Sequence, residues 1–212
     1  MTMERVVVSD GVAGPYGVAA GADGDVWFTL VHAGEIGRLA ADCSVTRFGL
    51  GAPDCGPSVI TAGPDGALWF TRMRDHRIGR ITVDGETRSF ALPTEACGPY
   101  GIAAGPDGAL WFVEIGAGQV GRITVDGEVT EYPLPDRDAR PHAVTTGPDG
   151  RLWFTEWAAG RIGSLTPDGV YTGYELDGGE PDVATEPHGI AVTPDGTVHV
   201  ALELGAIARL TP

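Results

Sequence analysis

Gly98-Pro-Tyr-Gly-Ile-Ala-Ala-Gly-Pro-Asp-Gly-Ala-Leu-Trp-Phe-Val113 carries the pattern that decides the fold. A short apolar run, Ile102-Ala-Ala104, meets Gly105-Pro-Asp-Gly108 and then a second run, Leu110-Trp-Phe-Val113. Proline at the second position of a turn, with Asp-Gly after it, is what a tight β-turn requires. Two more short segments follow, Val120-Gly-Arg-Ile-Thr124 and Glu128-Val-Thr-Glu-Tyr132, separated by a second Asp-Gly turn. The unit reads as four short strands with turns between them.

The same unit recurs along the chain. Pro15, Pro57, Pro99, Pro141 and Pro187 open five copies at spacings of 42, 42, 42 and 46, and twelve residues on from each stand Trp27, Trp69, Trp111, Trp153 and, in the last copy, His199. A period of about 40 to 50 residues with four strands, and no 3.6-residue periodicity, is the signature of a propeller blade. The expected fold is all-β: a five-bladed β-propeller of four-stranded blades. It forms a single domain over residues 1–212, with repeats near 10–50, 51–93, 94–135, 136–177 and 178–212. The chain ends on Ile207-Ala-Arg-Leu-Thr211, a third strand without its fourth, while Glu4-Arg-Val-Val-Val8 precedes the first repeat as fourth strands precede the later ones. Residues 4–8 are therefore expected to pair with 207–211 and close the ring. The recurring tryptophans are expected in the core.

Composition narrows the function. Fourteen basic against 29 acidic residues leave a net charge of −15, which disfavours nucleic acid and anionic membrane surfaces and favours small-molecule or cation partners. Met1 to Ser9 lacks a basic segment followed by an apolar one, and no apolar run approaches the roughly 20 residues that span a bilayer. A cytoplasmic monomer is expected. Cys43, Cys55 and Cys97 form neither a disulfide framework nor a zinc pattern, and read as plain thiols.

In a propeller the loops that enter the innermost strands ring one mouth of the channel. The residues after the repeat prolines are Tyr16, Ser58, Tyr100, His142 and His188; those before them are Gly14, Gly56, Gly98, Arg140 and Glu186. Polar chemistry is thus concentrated in the last two repeats, where Thr185-Glu186-Pro187-His188 is followed at short range by Glu203. Glu114 and Glu156 recur at one blade position and read as structural. His32 and His76 fall in solvated loops, and His199 reads as packing.

Gly14-Pro-Tyr-Gly17, the repeated Leu-Trp-Phe-Thr and Ile-Gly-Arg-Ile-Thr, Ala139-Arg-Pro-His-Ala-Val144 with Leu152-Trp-Phe-Thr-Glu-Trp157, and Glu186-Pro-His-Gly-Ile190 resemble the virginiamycin B lyase (streptogramin B lyase) family over nearly the whole chain. The resemblance implies a magnesium-dependent lyase that linearises cyclic depsipeptide antibiotics by elimination. It implies Glu186 and Glu203 at Mg²⁺, His188 as general base, and His142 and Tyr16 toward substrate; Arg140 and Tyr100, at the same mouth beside their repeat prolines, are expected to bind substrate as well. The family is seven-bladed and five periods fit here, so a narrower cavity and a smaller substrate are expected. Two other classes stand beside the lyase: a propeller serving only as a binding or scaffold module, and a metal-dependent esterase or lactonase.

Overall fold

In a computed structural model the described residues are 3, 5–176 and 185–212. They form two compact units, Met1–Ala91 and Leu92–Pro212, and the boundary falls at the end of the second repeat's last strand. The first unit holds β1 (Pro15–Ala20), β2 (Val26–Leu30), β3 (Glu35–Leu39) and β4 (Val45–Gly49), then β5 (Pro57–Ala62), β6 (Leu68–Arg72), β7 (Arg77–Ile81) and β8 (Thr87–Ala91). Each set of four is an antiparallel meander with its strands in chain order.

The second unit holds three sheets. The first is β9 (Pro99–Ala104), β10 (Leu110–Glu114), β11 (Gln119–Ile123) and β12 (Val129–Pro133); the second is β13 (Pro141–Thr146), β14 (Leu152–Glu156), β15 (Arg161–Leu165) and β16 (Tyr171–Glu175). The third has three strands, β17 (Pro187–Val192), β18 (Val198–Leu202) and β19 (Ala206–Leu210). The five sheets thus match the five sequence repeats, four complete and one short of its outer strand. None of the described residues forms a helix long and apolar enough to cross a membrane.

The fourth strand expected from residues 4–8 is not formed. Residues 5–8 carry no strand, residue 4 lies outside the described residues, and the last sheet stops at β19. Val8 instead packs against Ala13, Phe28 and Leu30 of the first sheet. That apolar contact holds the segment at the start of the first repeat.

The turns follow from their residues. In Gly63-Pro-Asp-Gly66 the Gly66 amide donates to the Gly63 carbonyl at 3.2 Å, and Gly66 is left-handed at φ 75°. The turn aspartate then serves the core: Asp65 accepts from Trp69 Nε1 at 3.0 Å and from Arg80 Nε at 2.7 Å, and the Arg80 guanidinium lies 5.9 Å over the indole. Asp107, Trp111 and Arg122 repeat this arrangement in the second unit. Trp27, Trp69 and Trp111 are fully buried, and an aromatic on the outer strand stacks on each, Phe48, Phe90 and Tyr132. The core role expected of the tryptophans is thus observed.

One close approach explains an otherwise weak strand residue. Gly37, Gly79, Gly121 and Gly163 face Phe28, Phe70, Phe112 and Phe154, and a Cβ at any of them would fall 2.1–2.2 Å from the ring. In the last repeat Val200 replaces the phenylalanine, and its partner is Ala208. Glu114 and Glu156 are fully buried: Gln119 Nε2 donates to Glu114 at 2.8 Å, and Tyr171 Oη donates to Glu156 at 2.6 Å. Both bind within their own sheets, as their shared blade position predicted. Cys55 and Cys97 are buried free thiols and Cys43 is an exposed one.

Candidate functional site

Every inner strand begins with a bulge. The register shifts between the repeat proline and the residue three positions on, in β1, β5, β9, β13 and β17 alike. A bulge re-aims the residue it contains, so Tyr16, Ser58, Tyr100, His142 and His188 occupy equivalent bulge positions. The residue before each proline is left-handed, with φ 62° at Gly14, 61° at Gly56, 57° at Gly98, 50° at Arg140 and 37° at Glu186. Glycine takes this conformation freely; arginine and glutamate do so at a cost, and a residue before proline is further biased toward extended backbone. Strain of this kind collects where a side chain is needed for something other than the fold.

A second position recurs in every sheet. The residue just after the second strand of each sheet donates its amide to the carbonyl of the left-handed residue: Val31 to Gly14, Met73 to Gly56, Ile115 to Gly98, Trp157 to Arg140 and Glu203 to Glu186. Three of these pairs are glycine with an aliphatic residue. The fourth places the Arg140 guanidinium 5.9 Å over the Trp157 indole, and the fifth brings two carboxyl groups into hydrogen-bond contact.

Around these pairs the second unit assembles an aromatic and imidazole array. The Tyr100 and His142 rings lie 4.4 Å apart, His142 and His188 meet edge to face at 5.1 Å, and Trp157 lies 6.5 Å from His188. His188 Nε2 is 2.9 Å from Glu203 Oε2. Beneath the rings Thr155 Oγ1 accepts from the Ala143 amide at 3.0 Å and donates to the His188 carbonyl at 2.9 Å. One buried hydroxyl thereby ties the two histidine-bearing bulges together. His142 Nδ1 and Trp157 Nε1 are buried and have no hydrogen-bond partner among the described residues.

The electrostatics divide the two acids. Glu186 is raised above the ordinary carboxyl range, first by its hydrogen bond to Glu203. Glu203 is lowered, first by its hydrogen bond with His188 and then by that with Glu186. The two shifts run in opposite directions because the His188 imidazole lies against Glu203. His142 is lowered by burial and then by the neighbouring His188, so it is neutral at neutral pH.

Of the residues expected from sequence, Glu186, His188, Glu203, His142 and Tyr100 come together, and Arg140 joins them through Trp157. Tyr16 belongs to the first unit, at the equivalent bulge of β1, and is 55% exposed. Among the described residues no three or more His, Cys, Asp or Glu side chains surround a common metal position. The oxygen donors that suit a hard divalent cation are the two carboxyls of Glu186 and Glu203. Two carboxyls alone are compatible with Mg²⁺ as donors and incomplete as a ligand set. Sequence reading passed over Trp157 and Thr155. The repeat does single out Trp157, since its equivalents are Val31, Met73 and Ile115, whereas Thr155 is hidden because Thr29 and Thr71 occupy the same place.

Five propeller-like antiparallel sheets, with acids and imidazoles gathered at the last two, define the class: an all-β repeat protein of propeller-like fold. The chain belongs to the virginiamycin B lyase family, whose model matches residues 1–114 and 101–210. A virginiamycin B lyase from Saccharopolyspora erythraea is 54% identical over 58 residues, 24% of this chain and 19% of that one. A streptogramin B lyase structure superposes with a TM-score of 0.88 at 45% identity, over 93% of this chain and 64% of that one. The virginiamycin B lyase from Staphylococcus aureus superposes at 0.90 with 42% identity, over 96% of this chain and 68% of that one, in a catalytically inactive histidine-to-alanine form with quinupristin. The chain thus spans about two thirds of the length of these structures, and a much smaller part of the curated relative is aligned.

Proposed function

We propose that the corner formed by Glu186, His188 and Glu203 performs a Mg²⁺-dependent elimination on an ester of the streptogramin B type, opening a cyclic depsipeptide without consuming water. The observation that carries the reading is the 2.9 Å contact between His188 Nε2 and Glu203 Oε2 beside the strained Glu186. Glu203, held anionic, accepts from Nε2–H. That fixes the tautomer and leaves the Nδ1 lone pair as the base. His188 takes the proton α to a carbonyl, the electron pair becomes a Cα=Cβ double bond, and the Cβ–O bond breaks with the carboxylate leaving. Glu186 and Glu203 would hold Mg²⁺, which supplies charge stabilisation for the enolate oxygen. The unpartnered His142 Nδ1 and Trp157 N–H are a hydrogen-bond acceptor and donor for the substrate, with Tyr100, Arg140 and Tyr16 as further contacts. The histidine substitution that inactivates the S. aureus relative supports an imidazole as catalyst.

The test is to present a streptogramin B and smaller β-acyloxy esters with Mg²⁺ and weigh the products. Elimination leaves total mass unchanged and creates an unsaturated residue; His188→Ala should abolish it. Products heavier by one water would replace the lyase with an esterase at the same corner. Calorimetric titration with Mg²⁺ should show weak binding that Glu186→Gln removes, and equal binding by that variant would overturn the metal assignment.

A further inference from the structure

The core shows how this fold holds a carboxylate with an arginine and a tryptophan. Asp65 accepts from Trp69 Nε1 at 3.0 Å on one carboxyl oxygen and from Arg80 Nε at 2.7 Å on the other, with the guanidinium 5.9 Å over the indole. Asp107 does the same between Trp111 Nε1, at 2.9 Å, and Arg122 Nε, at 2.6 Å, and that guanidinium lies 6.0 Å from its ring. In the first repeat Asp23 lies 3.2 Å from Trp27 Nε1 and 3.3 Å from Arg38 Nε, with the guanidinium at 5.7 Å. The donor set is constant: an indole N–H for one oxygen and a guanidinium N–H for the other. A planar carboxylate suits such a pair because its two oxygens accept separately.

Arg140 and Trp157 repeat these donors without the acid. The guanidinium lies 5.9 Å over the indole, inside the range of the three core pairs, yet among the described residues Arg140 forms no ion pair and Trp157 Nε1 has no hydrogen-bond partner. Packing does not require the pair, since the equivalent positions hold Gly14 with Val31, Gly56 with Met73 and Gly98 with Ile115. Arg140 also takes φ 50° before a proline, a conformation that costs glycine less. Both residues belong to the second unit, and the Trp157 ring lies 6.5 Å from that of His188.

We infer that Arg140 and the Trp157 N–H form a carboxylate-binding subsite beside His188, and that it takes the carboxylate released in the elimination proposed above, on which reading its catalytic role rests. As His188 takes the proton from Cα and the C–H electron pair forms the double bond, the Cβ–O pair passes to the departing acyl oxygen. Arg140 balances the charge that grows there and gives up no proton. An uncharged ester draws little on a guanidinium, so the interaction strengthens as the bond breaks, which is the condition for it to raise the rate. Trp157 Nε1 is covered and Arg140 is exposed, so the arginine is the part that turns when a carboxylate is taken.

Calorimetric titration of the protein, free of divalent cations, with N-acetylglycinate tests the subsite, and N-acetylglycinamide is the uncharged control. The carboxylate should bind in preference to the amide, and Arg140→Gly and Trp157→Phe should each weaken it by roughly 10- to 100-fold. Glycine is what three other repeats place at this backbone position, and phenylalanine keeps a ring while removing the N–H, so both variants should fold. Turnover of β-acyloxy esters whose leaving groups run from acetate to dichloroacetate tests the catalytic role. The loss in Arg140→Gly should be roughly 100-fold for acetate and should shrink as the leaving acid strengthens. No preference for the carboxylate over the amide, or equal binding by both variants, would overturn the subsite. A loss of one size for every leaving group would overturn the catalytic role and make Arg140 a support for Trp157. Carboxylate binding that depends on Arg140, with no elimination from any ester, would uphold the subsite and sink the proposed reaction alone.

Discussion

Replacing Glu186 by glycine should make the protein more stable and inactive at once. Glu186 has φ 37° before a proline, where three of the five repeats have glycine at 57–62°. A left-handed residue bearing a Cβ costs roughly 1–2 kcal/mol, against roughly 0.5–1 kcal/mol lost through the greater freedom of glycine in the unfolded chain. The net expectation is a gain of about 0.5–1 kcal/mol, read as an increase in Tm of about 1–4 °C for a chain of this length. The side chain touches chiefly Glu203, so removing it leaves no cavity. Differential scanning calorimetry of Glu186→Gly, at neutral pH without divalent cations, measures this directly, with turnover assayed on the same preparation. Arg140→Gly should gain less, because it also loses the Arg140–Trp157 contact. A Tm lowered by several degrees in Glu186→Gly would refute the reasoning, since the glutamate would then be present for the fold.

Two further perturbations probe the layers beneath the site. Glu114 is raised from 4.5 to about 7, first by burial, with one carboxyl oxygen lacking a hydrogen-bond partner among the described residues. Because the folded state then binds its proton more tightly than the unfolded state, stability is greatest below about 4.5 and falls as pH rises through about 7, by about 3 kcal/mol across that window. Glu114→Gln should remove that slope in denaturant titrations at pH 5 and pH 8, and an unchanged slope would assign it elsewhere. Thr155→Val strands the Ala143 amide and the His188 carbonyl, at roughly 1–3 kcal/mol, and loosens the bulge that aims His188. Turnover should drop more than substrate affinity, and Thr155→Ser should restore it; a full effect in the serine variant would show that the methyl group, not the hydroxyl, matters.

The repeat made most of the fold legible, because its cause is local. Asp-Gly turns, alternating short strands and a tryptophan every 42 residues each dictate their own conformation, and the nineteen strands among the described residues fall where those signals stand. The closing strand was not legible in the same way. Residues 4–8 have the composition of an outer strand, but whether they pair with 207–211 depends on where two distant segments lie. Val8 finds an apolar contact with the Ala13, Phe28 and Leu30 cluster, for which the sequence holds no local signal.

The site was readable as a departure from the same repeat. At each left-handed position the backbone asks for glycine and three repeats comply, so arginine at 140 and glutamate at 186 are exceptions with a cost. Their hydrogen-bonded partners change in step, from Val31, Met73 and Ile115 to Trp157 and Glu203. Two coupled exceptions in adjacent sheets, both placing charge or an aromatic beside a bulge histidine, are hard to explain by packing, since the glycine and aliphatic versions pack well in the same molecule. What sequence could not convey is the division of labour. Only the geometry shows that His188 Nε2 lies 2.9 Å from Glu203 Oε2, with the Glu203 amide donating to the Glu186 carbonyl. For the proposed elimination, Glu203 would orient the base, and Glu186 is the residue whose removal should abolish cation binding while leaving the imidazole in place.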